Sequence, residues 1–253
     1  MFGRPRSRGI MGIGVVSGSR CLTGVIVGFL SMTLLLAAIQ SRAGLVGAGQ
    51  AMPVTFVHVD EIIPDLRVNL RYEGSDNFMG RPVEGYESGR LVLTRAAAMA
   101  LSRVQERLRP FGLGLLAYDG YRPQRAVDNF VRWARDLDDQ VNKASYYPDV
   151  DKSDLFAEGY IADRSGHTRG STLDLTIVEA TTGRPLDMGT SWDHFGPESW
   201  PAYQDLTAQQ HANRLLLRSL MLQNGFKPYE QEWWHFTLGD EPYPETYFDF
   251  PVR

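Results

Sequence analysis

The run Ser165-Gly166-His167-Thr168-Arg169-Gly170-Ser171-Thr172-Leu173-Asp174, continued by Leu175-Thr176-Ile177-Val178, joins a turn directly to a strand. Leu173, Leu175 and Ile177 recur at every second residue and face one way, while Asp174 and Thr176 face the other. A strand of this kind rests its apolar side on a core and carries a carboxylate on its polar side. Gly170 lets the chain turn between His167 and Asp174, so the two side chains can converge.

Elements of both types surround this strand. Thr94 can cap a helix running to Arg109, with Leu101, Val104 and Leu108 on one face and Pro110 as its stop. Leu113 to Tyr118 reads as a buried strand ended by the Asp119-Gly120 turn. Pro123 suits a helix first turn, and Ala126, Phe130, Ala134 and Leu137 make a stripe that predicts a helix down to Gln140. Thr207 and Gln210 form a capping box for a helix through Leu215, Leu216, Leu220 and Met221, closed by Gly225. Trp233 to Leu238 reads as a last strand. Helices and strands mix without regular βαβ alternation. This predicts the α+β class: one compact domain with a mainly antiparallel sheet packed by helices.

The first 43 residues are of another kind. Arg4, Arg6, Arg8 and Arg20 precede an uncharged run from Cys21 to Ser41, and Ser41-Arg42-Ala43 offers small residues for cleavage. Those are the parts of a secretory signal over 1–43, with an uncleaved membrane anchor as the alternative because the apolar run is long. Residues 44–53, rich in Gly and Ala, read as a flexible lead-in, and 54–253 as the domain. The expected location is therefore the periplasmic or cell-wall side, with membrane contact only through the leader if it stays uncleaved. Removing 1–43 takes away five arginines and no acid, which moves the net charge from −4 to −9. That balance argues against a nucleic-acid partner. The single cysteine, Cys21, leaves with the leader. Any metal must then be held by nitrogen and oxygen ligands, and the mature chain suits an oxidising compartment.

Chemistry concentrates in three segments: Tyr121-Arg122-Pro123, the His167 to Asp174 run, and Glu232-Trp233-Trp234-His235. Two His and one Asp make a three-ligand zinc site with its fourth position open. His235, in an aromatic strand, would offer a neutral imidazole against a dry wall. Glu232, three residues earlier, would point to the opposite face of a regular strand, so sharing a site with His235 demands a turn or bulge. A carboxylate there can move protons, and a fixed Arg122 guanidinium can stabilise an oxyanion. By spacing alone, a His such as His235 is more often a core residue than a ligand, Asp174 often a turn partner or salt-bridge member, and Arg122 usually a surface or structural charge. There is no His-Glu-x-x-His, no Gly-x-Ser-x-Gly and no phosphate loop. His58, His194 and His211 lack ligand-like context.

Taken together, these motifs resemble the D-alanyl-D-alanine dipeptidases, zinc enzymes of the D,D-peptidase group. The likeness runs from Val68-Asn69-Leu70-Arg71-Tyr72 and Asp76-Asn77-Phe78 through Tyr118-Asp119-Gly120-Tyr121-Arg122-Pro123 and Ser145-Tyr146-Tyr147-Pro148 to Tyr247-Phe248-Asp249-Phe250-Pro251. The resemblance implies one Zn2+ per chain held by His167, Asp174 and His235. It implies Glu232 as catalytic base, Arg122 as transition-state stabiliser, and Ser165 and Tyr72 as substrate-pocket positions. It also implies a fold shared with D,D-carboxypeptidases and the hedgehog signalling domain, and a small dipeptide as substrate. Thr172 stands where Ala is usual, and Trp192 and His194 where Phe is expected, which bears on pocket size or a covering loop. The leader suggests wall-peptide turnover outside the cytoplasm rather than antibiotic resistance. Two other readings remain: a D,D-carboxypeptidase trimming peptidoglycan stems, and a non-catalytic zinc-stabilised binding module.

Overall fold

The computed structural model describes residues 51–253; the expected leader over 1–43 and most of the lead-in lie outside these residues. In chain order the strands and helices are β1 Phe56–His58, β2 Arg67–Val68, β3 Val92–Thr94, α1 Arg95–Leu108, β4 Leu113–Asp119 and α2 Gln124–Arg135. There follow α3 Lys143–Tyr146, β5 Thr172–Glu179, α4 Ala208–Gln223, β6 Phe226–Pro228 and β7 His235–Leu238. A five-stranded sheet has the order β2-β4-β5-β7-β6; β2 runs parallel to β4 and the other neighbours are antiparallel. β1 and β3 make a separate antiparallel pair. The α+β architecture expected from the sequence is the one found.

Strand β5 lies at the sheet centre, and every residue from Thr172 to Val178 is buried. Its expected polar side is therefore not a solvent face. It is a second interior, and Asp174 is only 2% exposed. Register then does the positioning. Asp119 on β4 pairs with Asp174 on β5, and Asp174 pairs with His235 on β7. Directly paired residues on adjacent strands share a face, so the row brings three polar side chains to one wall.

The helices meet their expectations unevenly. Thr94 caps α1 through its side chain, and Thr207 with Gln210 completes the capping box of α4. Helix α2 ends at Arg135 rather than Gln140, and Leu137 is half exposed. The reason lies in Lys152, whose ammonium is buried on the face of Trp133 and donates hydrogen bonds to the carbonyls of Asp136 and Asp139. Those carbonyls turn toward Lys152, and the chain leaves the helical path. On α4 the buried stripe is Asn213, Arg214, Leu217 and Met221, while Leu215 and Leu216 are exposed. Arg214 is drawn inward because it donates to the carbonyls of Met188, Glu198 and Trp200, which rotates the leucine pair outward.

The C-terminal segment closes the domain. Phe248, Phe250 and Val252 are buried, Phe250 stacks on Tyr121 at 4.0 Å, and the Tyr121 hydroxyl donates to the Phe250 carbonyl. The Phe248 amide donates to the carbonyl of Thr168. The last residues thus buttress both the Tyr121-Arg122 turn and the turn that carries His167.

A candidate metal centre and its pocket

His167 lies in a short 3-10 turn, Gly166–Arg169, capped by the Ser165 hydroxyl, which accepts from the His167 amide at 3.3 Å. The turn ends at Gly170 with φ +83°, and the space a side chain would need there is filled by the Phe56 ring. Glycine is thus required on two counts, backbone and packing. The reversal carries His167 back over the start of β5. Its Nδ1 donates to the Gly120 carbonyl at 2.8 Å, which fixes the tautomer and leaves Nε2 to face Asp174.

Three donor atoms converge. His167 Nε2 lies 3.3 Å from Asp174 Oδ1, His235 Nδ1 lies 3.2 Å from that same oxygen, and the two ring nitrogens are 3.3 Å apart. Bonds of about 2.0–2.1 Å to a tetrahedral ion require ligand atoms separated by about 3.3 Å. The near-equilateral triangle therefore has the edge that zinc demands. Asp174 Oδ1 is buried and accepts no hydrogen bond, whereas its other oxygen accepts from the Trp192 indole at 3.2 Å. An unpartnered buried carboxylate oxygen facing two imidazoles fits a cation, so the residues present suit the metal implied by the resemblance. Trp192 is buried and holds the other oxygen of Asp174 in place through its indole.

The turn demanded for Glu232 exists. β7 begins at His235, preceded by a turn in which the His235 amide bonds the Glu232 carbonyl, and Glu232 Oε2 comes within 3.2 Å of His235 Nδ1. Arg122 enters from the other side. Asp119 receives its Nε at 2.9 Å and its Nη2 at 2.8 Å, which leaves Nη1 uncommitted to that carboxylate, and Arg122 lines the cleft. The guanidinium lies 5.1 Å from the ring centroids of both Tyr72 and Phe130.

Charge in this wall departs from ordinary behaviour. Burial would raise the Asp174 pKa, but His167 and His235 hold it well below the usual carboxylate range. Burial would lower His235, yet the Asp174 and Glu232 carboxylates raise it to about 9 in the metal-free protein. The expectation of a neutral His235 thus fails without metal: two carboxylates outweigh the aromatic wall, and the neutral ring appears only once its proton is displaced. We predict that metal uptake at pH 7 releases about one proton from His235, and that this release fades above pH 9. Calorimetry in buffers of different protonation heat reads it, and zero release at pH 7 would refute it. The sign for stability follows: in the metal-free fold the His235 contribution is full below about pH 6.5 and is lost as pH rises through about 9.

The cleft over this wall has a volume of about 280 Å3 and is lined by Tyr72, Arg122, Ser165, His167, Asp174, Glu232 and His235, so every site residue expected from the sequence reaches it. That volume sits at the low end of the roughly 300–1,000 Å3 typical of small-molecule pockets. Two functional-looking carboxylates escaped the sequence reading. Asp119, read as a turn residue, is fully buried and binds Arg122, the Tyr86 hydroxyl at 2.7 Å and the Gly120 amide. Its signal was an acid three residues before Arg122 at the end of a buried strand. Asp193 lines the cleft, is 5% exposed, and accepts from the Tyr72 hydroxyl at 2.6 Å. It has φ +58°, and burial with Asp174 nearby pushes its pKa well up. Nothing in spacing marked it beyond an acid between Trp192 and His194.

A family model described as D-ala-D-ala dipeptidase matches residues 52–253. A D-alanyl-D-alanine dipeptidase of Streptomyces coelicolor is 48% identical over 197 residues, covering 78% of this chain and 98% of that protein. One of Enterococcus faecium is 43% identical over 202 residues, covering 80% of this chain and all of that protein. Among solved structures, a vancomycin-resistance D,D-pentapeptidase in complex with Zn(II) aligns with a TM-score of 0.36 at 13% identity, over 62% of this chain and 78% of that one, a likeness too slight to argue from.

Proposed function

The chain belongs to the D-Ala-D-Ala dipeptidase family, and from that premise we propose that it hydrolyses D-alanyl-D-alanine to two molecules of D-alanine. The observation that carries this reading is the triangle of His167 Nε2, Asp174 Oδ1 and His235 Nδ1 at 3.2–3.3 Å, with Glu232 at 3.2 Å on its open side. Zinc held by these three would supply Lewis acidity toward a carbonyl oxygen and lower the pKa of a water in its open position to about 7.

The chain's own residues do the rest. Glu232 takes a proton from the attacking water and returns it to the leaving nitrogen. Arg122, clamped by Asp119, turns Nη1 toward the charge that develops on the carbonyl oxygen. Tyr72, stacked beneath Arg122, spends its hydroxyl on Asp193 and so orients that carboxylate. Asp193 in turn offers a buried carboxyl oxygen as acceptor for the substrate's ammonium. Ser165 keeps its hydroxyl hydrogen for the substrate while its oxygen caps the His167 turn. An ammonium receptor at the buried end favours a free dipeptide, because a longer stem peptide has an amide there and more chain beyond it.

The basic and apolar leader expected over 1–43 supports action on the periplasmic or wall side, on dipeptide released during peptidoglycan turnover. The test is a panel on the zinc-loaded chain and on chain stripped by chelator: D,D-, L,D- and L,L-dipeptides and a wall pentapeptide. Metal-dependent cleavage of the D,D-dipeptide, with the pentapeptide at least about a hundredfold poorer, is expected. Preference for the pentapeptide would make it a carboxypeptidase; zinc binding without any cleavage would make it a binding module.

A further inference from the structure

The cleft has two ends of different character. At the inner end Asp193, Tyr72, Phe78 and Phe195 are each buried, whereas Ala162 and Arg164 at the rim are exposed. Two arginines line the cleft, and they are not equivalent. Arg122 is committed to Asp119 through two nitrogens. Arg164 has no carboxylate partner among the described residues and stands 4.8 Å over the Tyr247 ring. The same ring takes Arg169 at 5.9 Å, but Arg169 is discharged by Glu241 at 2.8–3.0 Å. Tyr247 therefore steadies one neutralised guanidinium and one that keeps its full charge for the cleft.

We propose that Arg164 receives the carboxylate of the substrate's C-terminal residue at the rim of the cleft. This inference rests on the dipeptidase reading and adds a residue that selects for a free carboxyl end. The rest of the lining supports it, because Glu232 would repel a carboxylate from the central cleft and the other guanidinium, Arg122, is already paired with Asp119. A planar guanidinium is suited to two parallel hydrogen bonds with a carboxylate. Ser165, adjacent in sequence and also in the lining, can donate its hydroxyl to the same group.

Two ligands that differ only at the C-terminus test the assignment: D-alanyl-D-alanine and its C-terminal amide. On the zinc-loaded full chain, Arg164→Gln should raise KM for the free acid about tenfold or more and change kcat by less than about threefold. The amide should be affected far less, so the preference for acid over amide falls by the same factor. Arg164→Lys should recover part of it. Calorimetric binding of both ligands to Glu232→Ala protein, with and without Arg164→Gln, reads the same contrast without turnover. If the wild-type chain hydrolyses neither ligand while Arg164→Gln still weakens acid binding tenfold, the hydrolytic reading falls and the carboxylate contact stands. An unchanged preference for acid over amide, or an equal loss for both ligands, overturns the proposal.

Discussion

Replacing Glu232 with alanine should leave one zinc per chain and cut turnover of the dipeptide by about 10²–10⁴-fold, the usual worth of a positioned general acid–base. Glu232 lies outside the triangle of ligand atoms and touches it only through His235, at 3.2 Å. Its carboxylate also helps hold the proton on His235 in the metal-free state. The variant should therefore take up zinc at pH 7 at least as readily as the parent. Metal analysis after dialysis, alongside steady-state rates, checks both halves. Loss of zinc would place Glu232 among the ligands, and undiminished turnover would leave it without a proton to carry.

His167→Ala should behave in the opposite way and lose the metal. Zinc affinities of roughly 10–16 kcal/mol spread over four ligands put one ligand at about 3 kcal/mol, or about a hundredfold in affinity. The real loss should be larger, because His167 also bonds the Gly120 carbonyl, and that bond fixes the ring that Asp174 and His235 meet. The fold should survive, since the missing hydrogen bond is worth only about 1 kcal/mol against an extensive aromatic core. Titration against a competing chelator, paired with thermal melting, separates the two effects. Retained stoichiometric zinc would remove His167 from the ligand set.

Much of this architecture was readable because local rules and tertiary packing agree. Thr94 and Thr207 cap the helices they should, and the alternation in Leu173–Val178 is a strand. The resemblance brought residues 167, 174, 232 and 235 together, and it carried a structural demand: Glu232 had to sit in a turn, and it does. What escaped depends on partners distant in sequence. Lys152 ends α2 early by claiming carbonyls sixteen and thirteen residues away. Arg214 turns the exposed face of α4 by bonding three loop carbonyls. Asp193 is held in the cleft by the hydroxyl of Tyr72, 121 residues earlier. Periodicity records which side of an element is apolar, but it does not record a buried cation that outbids that pattern.

Phe248 and Phe250 tie the site to a segment remote from it in sequence. Their rings and backbone groups prop the two turns that present His167 and Arg122. Removing residues 248–253 should therefore leave the sheet in place yet slacken both turns together, so that the protein is folded in part but inert.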